Sequence, residues 1–226
     1  MSSELVTRAA VLGRPIGHSL SPVLHSAAYA ALGLTDWQYD AVECGEAELA
    51  GFVGGLGPEW AGLSLTMPLK RAVIPLLAQV EPLVTQVGAA NTVVFGESGR
   101  AGYNTDVPGM ITALAEAGLT SAPDSVLVLG AGATACSALA ALRRLGVKQA
   151  TVAVRSQASA FQLQAVAGQV GVHVRLTEFG ARSGGAAGSA SAAEAGAGGW
   201  QLLISTVPAG AADHYAALLD GGDLTA

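Results

Sequence analysis

An α/β chain built as two domains is predicted by three features of this sequence. Apolar runs of about five residues alternate with longer helix-like stretches throughout, the pattern of β-α units that assemble parallel sheets. One such run, at 125–129, leads directly into a turn of glycines and alanines and then into a helical stretch. The alternation also restarts after a turn containing Pro123, and 226 residues suffice for one large domain or two small ones.

Composition narrows the class. Hydrophobic residues make up 51% and charged residues only 12%, so a sizeable core is easily buried and general disorder is excluded. A net charge of -6 argues against a nucleic-acid partner, because phosphate binding needs clustered Lys and Arg. No apolar run reaches the roughly 18 residues of a spanning helix, so no membrane partner is expected. The opening MSSELVTRAAVLG lacks the basic region and long apolar core of a secretion signal. Cys44 and Cys136 lie far apart, and His18, His25, His173 and His214 contain no pair at helical zinc spacing. The expectation is a cytoplasmic protein with neither a disulfide framework nor a metal site.

In order along the chain, the first half reads as strand 7–12 (TRAAVL), helix 22–32 opened by Pro22, strand 37–42 (WQYDAV) and helix 46–54. Strand 61–66 follows, where Leu63, Leu65 and Met67 alternate with small or polar residues until Pro68 stops the run. Next come helix 69–78 and two extended pieces, ANTVVF and RAGYNT, separated by the turn GESG. A helix over 107–117 closes this half. The boundary falls near 105–120, which assigns 1–106 to one domain and 107–226 to the other. The second half reads as strand 125–129, helix 133–145, strand 150–154, helix 157–169, strand 172–176 and strand 201–205. The Gly/Ser/Ala-rich segment 180–199 reads as a surface connection without chemistry.

The run SVLVLGAGATA carries the fingerprint G-x-G-x-x-G/A between a strand and a helix. Gly130 permits the tight turn, Gly132 removes the side chain that would block a pyrophosphate, and Ala135 lets the helix pack close to the strand. The helix N-terminus then offers N–H groups to phosphates. The next strand ends ATVAVRSQ, with Arg155 where a carboxylate would select NAD. A cation there suits the 2′-phosphate of NADP; a surface arginine ending a strand is the plainer alternative.

In the first half, polar residues stand at the ends of strands, which in open α/β sheets face a common crevice. GRPIGHSLSPVLHS places Ser19 and Ser21 after the first strand, SLTMPLK places Lys70 after the third, and GAANT and GYNTD supply Asn91, Thr92, Asn104, Thr105 and Asp106. Converging, they would suit a small polyhydroxylated acid. Taken singly they read as local structure: Ser21 as the N-cap of the helix begun by Pro22, Asp106 as the N-cap of helix 107–117.

PIGHSLSP, SLTMPLK, GAANT, GYNTD, GAGATA and ISTVP occur in that order, and together they make the chain resemble the shikimate dehydrogenase family from about residue 8 onward. The resemblance implies an N-terminal α/β substrate domain followed by a Rossmann-like NADP-binding domain. It implies an NADP(H)-dependent oxidoreductase that reversibly reduces 3-dehydroshikimate to shikimate, in the chorismate route to aromatic amino acids, acting as a monomer or homodimer. By position, Lys70 and Asp106 match the family's catalytic pair, and Ser19 and Ser21 the residues that hold the substrate carboxylate. Thr66, Asn91 and Asp106 match residues that bind the ring hydroxyls. Ser64 stands where many members carry Asn, and it reaches less far. Gly130, Ala131, Gly132, Ala133 and Thr134 match the pyrophosphate loop, Arg155 the 2′-phosphate contact, and Thr206 and Val207 the segment near the nicotinamide. Family members continue past the point where this sequence stops, so the resemblance implies a second sheet short of its last strands. Two rival expectations remain: a quinate/shikimate dehydrogenase using NAD, and a ligand-binding form with little activity.

Overall fold

Burial along TRAAVLG shows how the first sheet is covered. The computed structural model describes residues 6–155, 160–178 and 200–212, and the chain divides into two compact units, Met1–Thr105 and Asp106–Ala226. In β1 (Thr7–Gly13), Ala10 and Leu12 join one apolar cluster while Ala9 and Val11 join another, the two-residue period of a strand buried on both faces. β1 pairs in parallel with β2 (Trp37–Glu43) and β3 (Trp60–Leu65). Between these strands run α1 (Ser21–Leu32) and α2 (Glu46–Gly54).

Beyond β3 the sheet ceases to be parallel. After the short α3 (Leu69–Ala72), β4 (Gln79–Val80) and α4 (Pro82–Val87), the strands β5 (Thr92–Gly96) and β6 (Gly99–Tyr103) form an antiparallel hairpin. The resulting order is β2-β1-β3-β5-β6-β4, with β5 antiparallel to β3 and β4 parallel to β6. β5 already runs opposite to β3, and the connection in GESG is too short for the crossover a parallel pair would need, so β6 is antiparallel to β5 in turn.

The helix expected over 69–78 is likewise corrected. It ends at Ala72 and gives way to a 3₁₀ turn, Ile74–Leu76. Pro75 has no N–H to continue the helical ladder, and the Ala78 N–H turns aside to the Arg100 carbonyl at 2.9 Å. The sequence reading also missed α4, whose markers are a proline at its first position and Gly88 in the left-handed conformation after its end.

The two faces of this sheet are unequally covered. On one, Leu49 and Val53 of α2, Leu69 of α3 and Val84 of α4 pack on Leu12, Leu63 and Leu65. On the other, Ala9, Val11, Ile16 and Tyr39 form a smaller cluster with Tyr29 of α1 against it. No residue of α1 is fully buried, and Val23, Leu24 and Leu32 are exposed.

Among the described residues of the second unit, α5 (Asp106–Glu116) precedes four parallel strands, β7 (Val126–Leu129), β8 (Gln149–Val154), β9 (His173–Glu178) and β10 (Leu202–Ser205). Their order is β10-β7-β8-β9. The chain therefore builds outward from β7 through β8 to β9, then returns to the other side of β7 at β10. α6 (Ala133–Arg144) is buried without interruption from Ala135 to Leu142. Its small residues admit close packing between α5 and α7 (Phe161–Val170). The start of the helix expected at 157 and the segment 180–199 fall outside the described residues.

Candidate active site

Three loops of the first unit close round one cavity of about 580 Å³, well within the range of small-ligand sites. The loop after β1 contributes Ile16, His18, Ser19 and Leu20, and α1 contributes Ser21 and His25. The end of β3 and the start of α3 contribute Ser64, Leu65, Thr66 and Lys70, while Asn91, Thr92 and Thr105 come from the ends of the hairpin. The wall is thus polar where the loops meet and apolar at Val11 and Ile16, which suits a small ring bearing several oxygens.

Backbone hydrogen bonds hold the three loops at fixed heights. The Thr66 N–H donates to the Leu12 carbonyl at 2.9 Å, and the Arg14 N–H donates to the Met67 carbonyl at 2.9 Å. The Ala90 N–H donates to the Lys70 carbonyl at 2.8 Å, which ties α3 to the segment entering β5. Arg14 reaches Glu48 at 2.7 Å, and the Gly45 N–H donates to the same carboxyl oxygen at 2.6 Å. Those bonds, the Gly45 contact first and then Arg14, hold the Glu48 carboxyl below the usual carboxylate range.

Side chains within the cavity are pinned by one another. The Asn91 Nδ2 donates to Thr105 Oγ1 at 2.8 Å, and its Oδ1 accepts from the Thr105 N–H at 2.9 Å. The Thr92 hydroxyl donates to the same Oδ1 at 3.2 Å. Asn91 is therefore held from two sides, with its amide orientation fixed by the donors and acceptors it meets. The Ser21 N–H donates to Ser19 Oγ at 3.3 Å.

Ser21 is not the N-cap that its place before Pro22 predicts. Helix α1 already includes Ser21, and Leu20 is the capping residue without a side-chain bond. Asp106 likewise stands inside the first turn of α5, one residue earlier than the expected helix 107–117. It opens the second unit directly after Thr105. Asn104 is buried and donates to the Ala89 carbonyl at 3.0 Å, so it braces the hairpin.

Ser19, Ser21, Ser64, Thr66, Lys70 and Asn91, drawn from three separate segments of the chain, all line the one cavity. His18 and His25 also line it, although the sequence had them only as failed metal ligands, as do Thr92 and Thr105, which the sequence named among the converging polar residues without an individual role. Their signal was the position of each next to a motif residue. Tyr39 gave no such signal, because it lies inside a strand; its hydroxyl donates to Ser64 Oγ at 2.7 Å. Burial pushes the Tyr39 phenol above its ordinary range, by more than the Ser64 hydrogen bond lowers it.

The second unit supplies a different kind of site at the C-terminal ends of β7, β8 and β10. Gly130 has φ +101°, and a Cβ there would meet Thr206 Oγ1 at 2.7 Å and Val207 Cγ1 at 3.0 Å. Only glycine fits this turn. The Thr206 hydroxyl donates to the Leu129 carbonyl at 2.7 Å, which seats the segment after β10 against the glycine turn. At Gly132, nothing among the described residues lies within 4 Å of where a Cβ would stand, so there is open room before α6. The following residues, Ala133 and Thr134, form the first turn of α6, where helix geometry leaves N–H groups without intrahelical acceptors. The Gly130 N–H donates to Ala153 O at 2.9 Å, which brings the end of β8 and the exposed Arg155 alongside. A tight turn, free space before a helix N-terminus, and a cation on the neighbouring strand end fit a phosphorylated dinucleotide.

A profile of the shikimate dehydrogenase substrate binding domain matches residues 11–93. A shikimate dehydrogenase (NADP(+)) of Citrifermentans bemidjiense is 43% identical over 150 residues, covering 66% of this chain and 51% of the relative. One of Moorella thermoacetica is 37% identical over 179 residues, covering 77% and 60%. The chain thus spans between about half and three fifths of the length of these curated relatives. Among solved structures, the shikimate dehydrogenase of Mycobacterium tuberculosis superposes with a TM-score of 0.76 at 42% identity, covering 94% of this chain and 75% of that one. That of Thermus thermophilus, in complex with NADP(H) and shikimate, gives 0.67 at 36% identity, covering 75% and 62%.

Proposed function

Because the chain belongs to the shikimate dehydrogenase family, we propose that its first-unit cavity binds shikimate and 3-dehydroshikimate and that its second unit binds NADP(H). The reaction is the reversible reduction of the ketone to the alcohol, a step toward aromatic amino acids. The observation that carries this reading is the gathering of Ser19, Ser21, Ser64, Thr66, Lys70 and Asn91 around one cavity.

Each residue has a task that its chemistry allows. Ser19 and Ser21, neighbours at the mouth of α1, donate hydroxyl hydrogen bonds to the ligand carboxylate. Ser64, Thr66 and Asn91 meet the ring hydroxyls. The Asn91 amide, already aligned by Thr105 and Thr92, loses little freedom when a ligand arrives. NADP(H), when bound, supplies or accepts a hydride. The ketone oxygen must gain a proton as it becomes a hydroxyl, and the Lys70 ammonium gives it; in reverse, Lys70 accepts the hydroxyl proton. Asp106 orients that ammonium and hydrogen-bonds the same hydroxyl. On the second unit, Gly130, Ala131, Gly132, Ala133 and Thr134 form the pyrophosphate cradle. Arg155 pairs with the 2′-phosphate, and Thr206 and Val207 line the nicotinamide end. The division of labour assigns 1–106 to substrate and 107–226 to cofactor. Cys44 and Cys136 are buried thiols outside any disulfide, which suits a reducing cytoplasm.

Following nicotinamide absorbance with shikimate or quinate, each with NADP⁺ or NAD⁺, tests the proposal. The expected result is turnover with shikimate and NADP⁺ above the other three combinations. A preference for quinate with NAD⁺ would overturn the substrate and cofactor assignment, and binding of both ligands without turnover would overturn the catalytic one.

A further inference from the structure

Tyr39 carries no role in anything said so far, yet its buried hydroxyl bonds a residue of the cavity wall. It lies in β2, it is only 7% exposed, and its hydroxyl donates to Ser64 Oγ at 2.7 Å. Its ring is held as firmly as its hydroxyl. His25 of α1 stacks on it with centroids 3.8 Å apart and planes 10° from parallel, while His25 Nδ1 is 2.8 Å from the Ser21 carbonyl oxygen.

A serine hydroxyl has one proton and two lone pairs, and an isolated serine can turn among three rotamers. At Ser64 the phenol proton occupies a lone pair. The serine proton therefore points away from Tyr39, and the rotamer is fixed before any ligand enters. We infer that Tyr39 is a positioning residue: it holds the Ser64 hydroxyl as a ready donor to a ligand oxygen, compensating for the short reach of serine at this place in the wall. His25 clamps the tyrosine ring, so the arrangement is rigid from α1 through β2 to β3. The inference rests on the reading of the cavity as a shikimate site.

A double-mutant cycle on shikimate binding, measured by calorimetry on the full chain, separates positioning from general stability. Tyr39→Phe keeps the ring and its stack on His25 and removes only the hydroxyl. It should weaken shikimate binding about fivefold, the worth of one ordinary hydrogen bond. Ser64→Ala should cost about the same, and adding Tyr39→Phe to it should cost nothing further, because both changes remove one interaction. NADPH affinity should stay the same in all three variants, and thermal melting reports whether each is folded. Losses that multiply in the double variant, or an intact affinity in folded Tyr39→Phe, would overturn the positioning role while leaving the substrate reading in place. A native chain that binds NADPH but no shikimate would overturn the substrate reading and, with it, this inference.

Discussion

On the proposed assignment, the cavity of the first unit and the glycine turn of the second recognise their ligands by opposite means. In the cavity, side chains do the work: Asn91 is held by Thr105 and Thr92, and Ser64 by Tyr39. At the glycine turn, recognition rests on what is missing. Gly130 takes a φ of +101° beside Thr206 and Val207, and Gly132 leaves space in front of α6. A wall of hydroxyls and amides distinguishes one polyol from another, because a misplaced hydroxyl leaves a polar group unpaired. In the proposed assignment a backbone cradle reads only a phosphate, and the choice between cofactors falls to Arg155. On that assignment, substrate choice is distributed over many residues and cofactor choice is concentrated at Arg155.

Breaking the chemistry without disturbing either recognition surface should give the largest effect. Lys70→Ala is expected to lower turnover by at least about a hundredfold, the usual worth of a general acid, with shikimate affinity little changed. Steady-state kinetics beside a binding titration would check it, and near-normal turnover would remove Lys70 from the mechanism. Gly130→Ala comes next. A Cβ at positive φ costs about 1–2 kcal/mol, and here it also meets Thr206 and Val207. NADPH binding should weaken about tenfold or more while shikimate binding stays the same, as nucleotide fluorescence and calorimetry would report.

Arg155→Ala sharpens the contrast. Losing a charge-assisted hydrogen bond of about 1.5–3 kcal/mol should raise the Michaelis constant for NADPH by about tenfold or more. The constant for NADH should hardly move, and equal effects on the two would refute the 2′-phosphate contact. In the cavity a single change should do less. Thr105→Val frees the Asn91 amide and is expected to weaken shikimate binding only about fivefold, measured by the same titration.

The smallest effect concerns stability in alkali. The Tyr39 phenol is raised above its ordinary value by burial. A group raised in the folded state stabilises the fold fully below its unfolded pKa, about 10 for tyrosine. That contribution is lost as pH climbs through the folded value. Denaturant midpoints should fall as pH rises beyond about 10, and less steeply in Tyr39→Phe.

The same contrast explains what could be read in advance. The glycine turn is local: a buried strand, G-x-G and a helix lie within eleven consecutive residues, so SVLVLGAGATA announces its own geometry. The four parallel strands of the second unit follow from the same regular alternation. In the first unit Lys70, Asn91 and Ser19 could be named as candidates from their motifs, but their meeting in one cavity depends on sheet order, which no short stretch encodes. Pro75 cut short a helix whose apolar spacing looked continuous, and β5 pairs antiparallel with β3. Tyr39 was invisible because a buried tyrosine in a strand is ordinary; its partner Ser64 is its neighbour only across β1.

Amide chemical-shift mapping with the two ligands added in turn tests the separation of tasks most directly. Shikimate should move the signals of Ser19, Ser21, Ser64 to Lys70 and Asn91 to Thr105 most strongly. NADPH should move those of Gly130 to Thr134, Arg155 and Thr206 most strongly. Shikimate shifts concentrated at the glycine turn, or NADPH shifts concentrated in the first-unit cavity, would contradict the account.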